Sequence, residues 1–203
     1  MPDIDLGVSY LEGWDDLSPI EDFASTVSEP RLRFHTEERE RTVYAGLEWL
    51  LPTAVFVFIA RSYFDSFLKE MGKDHYQFLK RGIKALGSRL LGPSGPKSSI
   101  VATQGKVSDG GKYSIVYSVL AQTRDLRTVK LLLRNGAMAQ ELSEAVDAFL
   151  DLCLQDDAAL QAIIADYDLK GRGGHKVLLL TFNHETRTIE VVDPVPSKPK
   201  SKA

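Results

Sequence analysis

The chain has 203 residues, of which 43% are hydrophobic, 26% charged and 9% aromatic, and its formal net charge is −3. These proportions suit one globular domain, with or without a small appendage, and exclude collagen, coiled coil and wholesale disorder. The single cysteine, Cys153, excludes an internal disulfide, so folding needs no oxidising compartment.

Residues 1–30 carry eight acids and no Lys or Arg. They show no sustained period and include Gly7, Gly13, Pro19 and Pro30, so the expectation is an acidic, loosely ordered arm anchored by Tyr10, Leu11, Trp14 and Phe23. The start, Met-Pro-Asp-Ile-Asp-Leu, lacks both a basic and an apolar leader region, and a cytoplasmic location is expected. Residues 31–35 could add a short strand, and residues 36–42 read as a solvated helix start.

Residues 31–92 are expected to form a helical region. Residues 43–60 are apolar except for Glu48 and Thr53, and Pro52 marks either a helix start or a kink. Beyond it Phe56, Ile59, Tyr63, Phe67 and Met71 recur at helical spacing up to Gly72. In the next helix Tyr76, Leu79, Ile83, Leu86 and Leu90 share one stripe. Lys73, Lys80 and Lys84 share another, about a quarter turn away. Phe78 falls on neither and is a candidate exposed aromatic. From 69 to 97 there are seven bases against Glu70 and Asp74.

Residues 92–99 are a turn-rich linker. Residues 99–107, 113–122 and 127–134 read as strands joined by short turns, which argues for an antiparallel meander. Met138, Leu142, Val146, Phe149 and Cys153 mark a helix face, and a shorter helix carries Leu160, Ile163, Ile164 and Tyr167. This stretch is the second acidic block, with eight acids and no base from 140 to 168. Residues 177–182 and 188–192 flank a hairpin turn, so residues 99–196 form an α+β sheet domain, one compact unit with 31–92. A basic tail, 197–203, follows. The expected fold is therefore α+β, an antiparallel sheet of about five strands. A long N-terminal helical segment, kinked or in two parts, precedes it, and a helix pair lies between strands 3 and 4.

Signals for chemistry are sparse. Residues 92–98 have the composition of a phosphate loop but not its order, since Pro96 precedes Lys97 and a strand follows. His35, His75, His175 and His184 lack metal-ligand spacing, and Cys153 falls on a core face. Gly171-Arg-Gly-Gly-His-Lys176 could form an anion-binding nest. No catalytic residue, metal or cofactor is assigned. Lys73, Lys80, Arg81, Lys84, Lys170, Arg172, His175 and Lys176 are the candidate binding residues.

The expected function is a non-enzymatic protein-binding module, interacting or regulatory, that offers its polarised charged faces to a protein partner or a second copy. Nucleic acid is not expected, because the basic stripe stands alone in an acidic chain. One alternative is a membrane-associated protein. In that reading residues 43–60 insert in or lie on the bilayer, a membrane surface is the partner, and the C-terminal domain stays cytoplasmic. A second alternative is an enzyme with a site around Arg172, His175 and His184.

Overall fold

A computed structural model describes residues 4–40, 53–93, 95–96, 100–101, 107–108, 112–155, 157–169 and 177–192. In chain order the elements are β1 (Leu6–Leu11), α1 (Ser18–Val27), β2 (Phe34–Arg39) and β3 (Val55–Ile59). A π-helical turn (Tyr63–Phe67) then leads into α2 (Leu68–Met71) and α3 (Lys73–Leu91). The chain continues with β4 (Ile100–Val101), β5 (Val107–Ser108), β6 (Tyr113–Gln122) and β7 (Thr128–Arg134). It closes with α4 (Ala139–Gln155), α5 (Asp157–Tyr167), β8 (Val177–Asn183) and β9 (Thr188–Val191).

Seven strands form one mixed sheet in the order β2-β1-β3-β6-β7-β8-β9, while β4 and β5 make a separate ribbon. The register explains why one face is so apolar. Val8, Val57, Val119, Leu131 and Leu180 lie side by side in one row, and Leu6, Ile59, Ala121, Val129 and Leu178 in the next. All ten are at most 1% exposed, and each larger side chain contributes about 2 kcal/mol of transfer free energy. The helices cover this face. Tyr117, on the same side of β6, donates its hydroxyl to the Ile83 carbonyl of α3 at 3.1 Å. α4 packs over β7 and β8, and α1 packs on α3.

The other face is more polar. One row runs Ser9, Phe56, Ser118, Leu132, Thr181 and the next Gly7, Phe58, Leu120, Lys130, Leu179. Arg39 reaches across it, its guanidinium 4.5 Å from the Phe56 ring centre, and donates to the Thr53 and Ala54 carbonyls. Burial, with the Arg39 charge adding to it, pulls the Lys130 ammonium down to about 8.

The expected five-stranded antiparallel sheet behind a long N-terminal helical segment is overturned. Three of the six pairings are parallel: β1 with β2, β3 with β6, and β7 with β8. Each of these pairs is bridged by helix: α1, then α2 with α3, then α4 with α5. The short turns after β6 and β8 do make hairpins, but they account for only two of the three antiparallel pairings. The chain segment expected as an arm supplies β1 and α1, with Leu6, Val8, Ile20, Phe23 and Val27 in the core.

Residues 55–59 are a strand rather than helix. β3 lies between β1 and β6, with Val55, Val57 and Ile59 all 0% exposed. Phe56 and Phe58 are only half-exposed on the other face, so the polar alternation that betrays a strand is missing. Helical structure begins at Arg61. Among the described residues no helix is long and apolar enough to cross a membrane, and residues 43–52 lie outside them.

Candidate functional site

α3 carries most of the candidate binding residues. It forms because its apolar stripe repeats at helical spacing: Tyr76, Leu79, Ile83, Leu86 and Leu90 are all at most 4% exposed. Lys73 is its first residue. One step round from the stripe, Lys80 and Lys84 face α4. The Lys80 ammonium lies 2.7 Å from Asp151 and 3.4 Å from Asp147, and that of Lys84 lies 2.6 Å from Asp147. Tyr76 donates its hydroxyl to the same Asp151 carboxylate at 3.0 Å. Two bases of α3 and two carboxylates of the second acidic block are therefore paired within the chain. The first acidic block is paired in part, since Asp22 of α1 pairs with Arg89 and Ser18 accepts a further hydrogen bond from it.

Arg81 faces away from this seam. It is exposed, and its guanidinium sits 5.2 Å from the ring centre of Phe78, itself 43% exposed. Phe78 borders a groove of about 290 Å³ between the end of α1 and the start of α3, lined also by Thr26, Ser28, Glu29, Met71, Asp74 and His75. The floor is rigid. His75 is 5% exposed and both ring nitrogens are engaged: Nε2–H donates to the Val27 carbonyl at 3.1 Å, and Nδ1 accepts from the Tyr63 hydroxyl at 2.9 Å. Because a carbonyl can only accept, the proton belongs on Nε2. The Tyr63 hydroxyl is pushed well above its ordinary value by burial.

A second polar assembly lies at the end of the sheet where β3 and β6 finish. Asp5, 3% exposed, accepts both arms of the Arg33 guanidinium at 2.9 and 2.6 Å and the Ser62 hydroxyl at 2.6 Å. Burial alone would raise this carboxyl, but Arg33 and Ser62 together hold it below its usual range. Arg61, the first helical residue after β3, donates both arms of its fork to Asp65 at 2.8 Å. Next to them, Phe64, Leu68, Lys69, Arg124 and Leu154 complete a pocket of about 200 Å³. Arg124 comes from the β6–β7 turn, where Leu126 has a left-handed φ of 60° and Thr123 bonds back to Arg127. Arg127 in turn holds Asp168 through two hydrogen bonds at 2.8 and 3.0 Å.

Lys170, Arg172, His175 and Lys176 lie outside the described residues, so of the enzyme alternative only His184 is placed. Its Nδ1 is 3.7 Å from Glu144, which also meets Arg187 at 3.5 Å. Cys153 is 3% exposed on α4, and burial pushes its thiol up to about 12, which leaves it unreactive. No three His, Cys, Asp or Glu side chains among the described residues are placed to hold a metal ion.

Sequence reasoning expected Phe78 to be exposed, as it is, took Lys80 and Lys84 for outward groups although they face α4, and did not single out the cluster of Arg61, Asp65, Lys69 and Arg124. The available signal was Arg61 and Asp65, four apart directly after an apolar run. Comparison of the chain with protein-family models, curated proteins and solved structures finds no match in any of the three.

Proposed function

We propose that the chain is a non-enzymatic protein-binding module acting in the cytoplasm, and that its contact surface is the groove beside Phe78 rather than the lysine stripe. The observation that carries this reading is the exposed Phe78–Arg81 pair at the rim of a groove with a buried, fully hydrogen-bonded floor. Large aromatic and arginine side chains on a rigid surface are the residue types that dominate binding energy at protein interfaces. Met71 and Phe78 give the groove apolar contact area, and Glu29 and Asp74 give it negative charge. The complementary partner is a segment presenting Lys or Arg beside an apolar side chain. A chain whose one cysteine is buried and unpaired is also suited to a reducing compartment.

The test is crosslinking capture with the wild-type chain, Phe78→Asp and Lys84→Ala, followed by calorimetry on the captured protein. Phe78→Asp should weaken binding by about tenfold or more while Lys84→Ala leaves it within about twofold. Equal affinity for the wild type and a folded Phe78→Asp variant would refute the groove, as would a captured segment without Lys or Arg.

A further inference from the structure

We infer that the pocket between Arg61, Lys69 and Arg124 holds the phosphate group of a small phosphate monoester. The site is separate from the groove beside Phe78 and does not depend on the protein-binding reading.

The argument starts from charge. Of the seven residues lining the pocket, three are cations and one, Asp65, is a carboxylate, so the lining carries +2. A phosphate monoester carries about −1.5 to −2 at pH 7 and matches that excess. The Arg61 side chain is 12% exposed and fixed by its fork onto Asp65, so one cation is pre-positioned. Lys69 and Arg124 approach from two different elements, α2 and the β6–β7 turn. The three cations share the lining of one pocket, and the Arg61 hydrogen bonds, followed by the charges of Arg61, Lys69 and Arg124, hold the Asp65 carboxyl below its usual range.

The remaining walls are Phe64, Leu68 and Leu154. They offer apolar contact to the organic part of an ester, and a volume of about 200 Å³ is below that of drug-sized pockets, so the ligand is small. Two of the three chain segments that line the pocket are irregular. A π-helical turn spans Tyr63–Phe67, and Leu126 sits at a positive φ beside Arg124. Such features concentrate where a site imposes its geometry on the backbone.

The test titrates the full chain with inorganic phosphate and with phenyl phosphate against chloride at matched ionic strength, read by phosphorus NMR and by melting temperature. Saturable binding of both phosphates, with phenyl phosphate the tighter, is expected; tighter inorganic phosphate would remove the ester and its apolar walls from the proposal. Lys69→Ala with Arg124→Ala should weaken binding by roughly tenfold or more. Asp65→Asn should tighten it, because it removes the carboxylate charge from the pocket lining while the amide oxygen can still accept from Arg61, whereas a merely structural ion pair would give no gain in affinity. A response equal to that of chloride, or one retained in the Lys69→Ala and Arg124→Ala double variant, would overturn the inference. If Asp65→Asn does not fold, the double variant, whose side chains lie at the surface, decides alone.

Discussion

α3 is held by different means on its two flanks. Toward α1 the contact is close and mainly apolar, with the Asp22–Arg89 pair at its exposed rim. At Gly82 an added Cβ would stand 3.0 Å from the Phe23 ring and 3.4 Å from Val27, and His75 fixes the end of α1 through the Val27 carbonyl. Toward α4 there is also close approach, at Gly87 against Leu142 and Tyr117, but above it runs a ladder of Lys80 and Lys84 with Asp147 and Asp151. Shape sets the first seam, and charge adds register to the second. The contrast matters for function, because charge alternating in blocks along a sequence can be consumed by neighbouring helices instead of being offered to a partner.

The largest effect should come from the shape-determined flank. Gly82→Leu has no room for its side chain against Phe23 and Val27, and it should destabilise by about 3 kcal/mol in urea denaturation, with little dependence on salt. A cost as small as that of a surface substitution would show that α1 and α3 are not closely packed.

Acid denaturation tests a charged contact outside both flanks, that of Asp5 with Arg33 and Ser62. The Asp5 carboxyl is held below its ordinary value near 3.8. Its contribution is therefore complete above that value and is lost as pH falls through the lower folded value. Asp5→Asn should cost about 2 kcal/mol at neutral pH and flatten the stability curve below about pH 4. An unchanged acid limb would show that the Asp5 contact does not contribute to it.

On the charged flank itself, a double-mutant cycle with Lys80→Ala and Asp151→Ala should give a coupling of about 1 kcal/mol, falling as salt rises. Zero coupling at low salt would reduce the ladder to coincidence. The outward side of α3 belongs to neither flank, so Phe78→Ala should change stability by only about 0.5 kcal/mol. A larger loss would mean that Phe78 supports the fold and is not a free contact surface.

The sequence made the interior of α3 legible because five apolar residues repeat at helical spacing over a long element, and the faces of α4 and α5 were legible for the same reason. Met138 is the exception: expected on the α4 face, it is 69% exposed, ahead of the first helical turn, and its N–H is capped by Glu141 at 2.8 Å. β3 was hidden because apolar residues stand on both its faces, so the polar alternation in its sequence vanishes. β2 was seen only at its first residues, with 36–39 taken for a helix start, for the opposite reason: it is a sheet edge reading Phe-His-Thr-Glu-Glu-Arg, whose charges deter further strand pairing. The Lys80 and Lys84 contacts were out of reach because helical periodicity gives the side of α3 they share but not which helix lies there. The pocket of Arg61, Lys69 and Arg124 was out of reach because parallel pairing of β3 with β6 alone brings residues 61 and 124 together.

Cys153 gives the chain an intrinsic probe of its own opening. It is the single thiol in 203 residues, buried on α4 in the hydrophobic core. An aromatic disulfide can modify it only when that helix lifts or the whole chain unfolds. The rate of labelling, compared with that of the denatured chain, then reads the opening free energy of α4 without any introduced reporter.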